Sequence, residues 1–178
     1  MLRHITSITA LALTTSVALA AGSDSTSPPK PTQTTTDCLR GQVWDTRTKA
    51  CVDSQSSLID DDTRYEALRE LSYAESYEAA LVVLSTMAPQ DDRALTYRGF
   101  IARKQGDWGS ALTYYDAALA RNPDNLLARS YLGQGHVTRG ENDAAQRQLD
   151  EIRKRGGQGT WAELSLAQAL QTGRTSGY

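Results

Sequence analysis

Chemistry in this 178-residue chain would first be sought at two cysteines, two histidines and the tryptophan between the cysteines. Cys38 and Cys51 are the only cysteines. They are not spaced Cys-x-x-Cys, so neither thiol redox cycling nor haem attachment is suggested, and two ligands alone do not make a zinc site. In an exported chain such a pair joins as a disulfide. His4 and His136 lie far apart in the sequence, and no metal-ligand cluster is visible. No glycine-rich phosphate loop, nucleophile motif or His/Asp/Ser set appears, so no catalytic residue, metal or cofactor is assigned and the chain is not read as an enzyme. Asp60-Asp61-Asp62 sits in a polar junction, where adjacent charges are solvated. The formal net charge is −2, which gives no basic face for nucleic acid.

Export is read from the first residues. Met1-Leu2-Arg3-His4 is short and basic, Ile5 to Ala20 carries no charge, and Ala18-Leu19-Ala20-Ala21 offers small residues for a signal peptidase. Residues 1–21 are therefore expected to be a signal peptide, cut after Ala20 or Ala21. The apolar run is shorter than the ~20 residues a span needs and is diluted by Thr and Ser. No second apolar run follows, so no membrane span is expected in the mature chain. The destination is the periplasm in a bacterium, or secretion otherwise.

Residues 22–37 are rich in Ser, Thr and Pro and carry no large apolar side chain, so a disordered linker is expected. Residues 38–58 form a small unit. Val43-Trp44 and Cys51-Val52 are β-prone pairs around the polar stretch 45–50, which reads as a hairpin closed by Cys38 and Cys51. Closing a loop of this size adds about 3 kcal/mol in the chain-entropy account.

From Asp61 the spacing becomes helical and repeats. Gly99 to Gly106 is matched by Gly133 to Gly140, a step of 34 residues that also relates Ala111 to Ala145 and Tyr115 to Leu149. Trp108, Leu112, Tyr115 and Leu119 make one apolar stripe. Gly106 and Gly140 stop first helices, and Pro123 ends a second one. Gly99 is expected to face Ala111, and Gly133 to face Ala145, so that paired helices approach closely. Thr160 with Glu163 reads as a capping box opening a last helix.

The period, with Lys104-Gln105-Gly106-Asp107-Trp108, with Ala111 through Leu119 and with the turn Asn122-Pro123-Asp124-Asn125, resembles the tetratricopeptide repeat family. The likeness implies an all-α fold: a short solenoid of about three helix hairpins plus a C-terminal capping helix, preceded by the disulfide-closed hairpin. Repeats are placed at about 61–91, 92–125 and 126–157, with a cap at 160–171, inside a domain 59–172 and before a tail 173–178. In the first repeat Tyr77, Ala80, Leu84 and Met87 take the places of Trp108, Ala111, Tyr115 and Ala118, while Leu68 stands where the family has a small residue.

The resemblance further implies a concave groove, lined by first helices, that takes a peptide or protein segment. Its positions fall on Arg93, Thr96, Tyr97, Phe100, Arg103 and Lys104, then on Leu127, Ser130, Tyr131, Gln134 and Val137. Exposed aromatics beside cations suit peptide capture. The Lys/Asn set with which some members hold a terminal carboxylate is absent, since Thr96, Phe100, Leu127 and Tyr131 stand there. The function expected is thus an exported adaptor or scaffold.

A rival reading uses the cysteine loop. Cys38-x2-Gly41-x-Val43-Trp44-Asp45-x5-Cys51 is similar to the later half of peritrophin-type chitin-binding modules, whose other cysteines are missing here. That likeness implies a cell-wall or glycan-associated protein binding through Trp44.

Overall fold

The computed structural model describes residues 31–175. The expected signal peptide and the first part of the linker lie outside the described residues. A two-stranded hairpin precedes seven helices among the described residues. Strand β1 (Gln42–Asp45) pairs antiparallel with β2 (Ala50–Asp53), with Val43 opposite Val52 and Trp44 opposite Cys51. Cys38 and Cys51 are joined, with Cα atoms 5.4 Å apart. The period-2 pattern sends Val43 and Asp45 inward. Val43 enters the main core, and the Asp45 carboxylate closes the turn by accepting from Arg47 N and Thr48 Oγ1.

The helices are α1 (Asp61–Tyr73), α2 (Tyr77–Ser85), α3 (Asp92–Lys104), α4 (Trp108–Arg121), α5 (Leu126–Thr138), α6 (Asn142–Lys154) and α7 (Trp161–Thr172). Short polar side chains start most of them. Asp60, Asp91, Asp107, Asn125 and Thr160 each accept from a backbone N–H of the first turn. Thr160 thus completes half of the expected capping box. Glu163 does not complete the other half, because Arg153 of α6 takes its carboxylate at 2.8 Å.

The helices pair as α1 with α2, α3 with α4 and α5 with α6, and α7 packs on both α5 and α6. The first helices α1, α3 and α5 also touch in succession, which makes one side of the array a first-helix face. Ala80, Ala111 and Ala145 are fully buried where second helices meet first ones. Gly99 works as expected in kind, but its close neighbour is the Tyr115 ring: a Cβ at Gly99 would lie 2.7 Å from it. At Gly133 the nearest neighbour of an added Cβ is Leu166 of α7, 2.6 Å away. Gly106 and Gly140 hold the left-handed turns, with φ of 85° and 73°. In the first hairpin Glu75 adopts φ 57° in that place.

The described end of the linker is held against the first repeat. Glu70 of α1 is buried and accepts from the backbone and hydroxyl groups of both Thr32 and Thr35. Thr34 is buried too, and its hydroxyl accepts from Trp44 N at 3.0 Å. Arg64 Nε and Nη2 donate to the carbonyls of Ser54 and Ser56. The hairpin and residues 32–35 therefore cover the open side of α1.

Candidate functional site

The groove positions lie on α3 and α5, with α1 beside them. At the N-terminal end of α3, Arg93 donates to Asp62 Oδ1 at 2.8 Å and to Asp91 Oδ2 at 3.4 Å. Its guanidinium lies 4.8 Å from the centre of the Tyr65 ring. One turn on, Tyr97 stacks edge-on with Tyr65 at 5.7 Å and with Tyr131 at 6.0 Å. Phe100 follows, 4.9 Å from the Tyr131 ring and 5.4 Å from that of Tyr73. At the C-terminal end, Arg103 and Lys104 lie over the Phe100 ring at 5.5 and 5.9 Å. Lys104 pairs with Glu75 at 3.6 Å.

The expectation of exposed aromatics on this face is corrected. Tyr97, Phe100 and Tyr131 are 0–2% exposed. Successive first helices sit close enough for rings from α1, α3 and α5 to meet, and the Tyr73 and Tyr131 hydroxyls hydrogen-bond across α3. Tyr97 OH lies 3.3 Å from the same Tyr131 oxygen. Burying several rings against one another gains more than leaving them wet. Burial raises the pKa of the Tyr97 and Tyr131 phenols, so both are neutral donors and acceptors near neutral pH.

Gln134 is also buried. Its amide turns to Ser130 Oγ at 3.3 Å and to Ser165 Oγ of α7 at 3.4 Å, away from the aromatic cluster. Thr96 is buried and donates its hydroxyl to the Asp92 carbonyl. Of the expected groove residues, Arg93, Arg103 and Lys104 keep part of their surface exposed.

Three residues of α1, which were not expected at the site, complete this face: Tyr65, Arg69 and Tyr73. Arg69 pairs with Glu66 at 3.0 Å and lies 5.7 Å from the Tyr65 ring centre. The step of 31 residues that aligns Ala80 with Ala111 also aligns Tyr65 with Thr96, Arg69 with Phe100 and Tyr73 with Lys104. That signal was in the sequence. The first repeat's Leu68, in place of glycine, hides it.

Trp44 is half-buried on the hairpin, beside the disulfide through its pairing with Cys51. No helix among the described residues is long and apolar enough to cross a membrane. No group of three His, Cys, Asp or Glu residues among them is arranged to hold a metal ion.

Two family profiles match the chain, both described as tetratricopeptide repeat, one over residues 64–125 and the other over residues 102–171. No curated protein and no solved structure matches it.

Proposed function

We propose, from the tetratricopeptide repeats that the chain carries across residues 64–171, that it is an exported scaffold binding a protein or peptide segment on its first-helix face. One observation supports this reading most. Helix α3 carries Arg93 over the Tyr65 ring of α1 and Arg103 and Lys104 over its own Phe100, at the edges of an aromatic cluster that Tyr65 and Tyr73 of α1, Tyr97 and Phe100 of α3 and Tyr131 of α5 build together. Partly exposed cations over rings can hold an extended chain by charge-assisted hydrogen bonds, while the rings beneath keep the surface rigid. The accessible contacts are then the cations, and the rings act as their bed. The disulfide is consistent with an oxidising compartment, and the basic, then apolar, then small-residue start supplies the address.

Two measurements test the proposal. N-terminal sequencing of protein recovered from its native cell is expected to begin at residue 21 or 22. An intact Met1 on all material would remove export. A photo-crosslinking amino acid at Lys104 or Arg93 is expected to capture polypeptide in that compartment, and one at the exposed Thr113 of α4 is not. Crosslinks confined to Thr113 would move the binding surface to the second helices.

A further inference from the structure

Helix α2 carries apolar side chains on its outer side as well as its inner one. Glu78 is its one charge, and Ala80, Val83 and Leu84 fill the buried side. Leu81 and Val82 point outward, 41% and 36% exposed. A helix that is apolar all round is one that something covers all round. The other second helices do not share the feature. The steps of 31 and 34 residues align Leu81-Val82 with Leu112-Thr113 of α4 and with Gln146-Arg147 of α6. Leu112 packs against the core, and Thr113, Gln146 and Arg147 are polar.

The loop before β1 lies along this outer side. Gly41, with φ 91°, comes so close that an added Cβ would be 3.3 Å from Val82 Cγ1. One turn earlier on α2, Glu78 pairs with Arg40. Leu39 stands beside Arg40 and is 75% exposed, and its other neighbour, Cys38, is anchored to Cys51. Loop and helix thus present Leu39, Leu81 and Val82 around one exposed ion pair. Those are three of the five exposed large apolar residues among the described ones. Single exposed apolar residues are ordinary, whereas several gathered at one place mark a contact surface.

We infer that this patch is a self-association surface, on which a second copy of the chain packs about a two-fold axis. The charges select that occupant. The rim carries one cation and one anion, so two patches related by a two-fold axis offer Arg40 the partner's Glu78, and Glu78 the partner's Arg40. A surface of one sign, such as an anionic lipid layer, would meet a like charge there as well as an opposite one. Residues 22–30 hold no large apolar side chain to lay on the patch, and the apolar run 5–20 belongs to the expected signal peptide. The patch lies on a second helix, so pairing leaves the first helices α1, α3 and α5 free, and the pair carries two first-helix faces. A contact built on few residues belongs to the weak, concentration-dependent class.

Sedimentation equilibrium of the mature chain tests this, over a concentration series up to about 1 mM. The mass is expected to rise towards twice that of the monomer. Leu81→Gln with Val82→Thr introduces residues that α6 and α4 carry at these positions. That variant should hold the monomer mass, with helix content unchanged by circular dichroism. Arg40→Glu and Glu78→Arg alter side chains that are 65% and 83% exposed. Each alone should stay monomeric, because like charges then meet across the axis, and the two mixed should pair again. The mixture decides the matter even where the apolar double variant loses its fold. A monomeric mass throughout overturns the inference. So does a dimer that survives the apolar or the charge substitutions, or a mixture no heavier than its parts. Each outcome leaves the scaffold reading to the crosslinks at Lys104.

Discussion

Phe100 illustrates how a position inside a repeat can change its job. By its place on α3 it belongs to a ligand surface, yet its ring touches Tyr73, Tyr97 and Tyr131 and is 2% exposed. Phe100→Ala should therefore lower stability by about 3 kcal/mol, the cost of deleting a buried ring, and not remove binding selectively. Gly99→Leu should destabilise as well, because even a Cβ there meets the Tyr115 ring at 2.7 Å. Urea unfolding measures both. A midpoint unchanged in Phe100→Ala would return the ring to the surface, and an unchanged midpoint in Gly99→Leu would undo the alignment of α3 with α4.

At the scale of elements, the hairpin and the strap at residues 32–35 take the role that a preceding repeat would have for α1. A solenoid end needs such a cover, since its first helix otherwise shows apolar surface to water. Glu70 is the clasp, receiving four donors from Thr32 and Thr35. Glu70→Ala is expected to speed amide exchange at Thr32, Thr35 and the β1 backbone, where Trp44 N is tied to Thr34, while α5 to α7 stay protected. Reducing Cys38–Cys51 should act in the same region and cost up to about 3 kcal/mol. Equal loss of protection in α6 and α7 would mean that the array melts as one unit and that the cover has no local role. Within the stretch expected as a free linker, Thr32, Thr34 and Thr35 are tied to Glu70 and Trp44.

For the whole molecule, stability should form a plateau bounded by carboxylates and phenols. The pKa values of Asp45, Asp60, Asp107 and Glu141 lie below their ordinary values, through hydrogen bonds from Thr48, Thr63, Ser110 and His136 respectively. Their stabilisation is complete above the ordinary carboxylate range of about 4 and is lost as pH falls through the depressed folded values. On the other side, burial pushes Tyr115 up to about 12 and holds Tyr97 and Tyr131 well above the ordinary phenol range. Below about pH 10 these phenols are neutral folded or unfolded; above it the unfolded chain ionises first, so stability falls as pH rises. Urea midpoints against pH should drop below about 4 and above about 10. Phenolate absorbance from all eight tyrosines appearing near pH 10 with the helices intact would contradict the buried cluster.

The array, the hairpin and the disulfide were legible without coordinates because each is encoded by neighbours in sequence. A 34-residue step, alanines where paired helices touch, short polar caps and two β-prone pairs around a turn all act within one repeat or one loop. The same local code placed Arg93, Arg103 and Lys104 on one side of α3. The rest depended on groups that no local period relates. Tyr73 and Tyr131 meet across α3, 58 residues apart in the chain, and so turn an expected open surface into a packed one. Glu70 finds Thr32 and Thr35 from outside the repeats. Leu166 reaches Gly133 from the cap. Periodicity sets which side of a helix faces its partner. How near the third helix comes is decided by the side chains packed between the first helices of the assembled array.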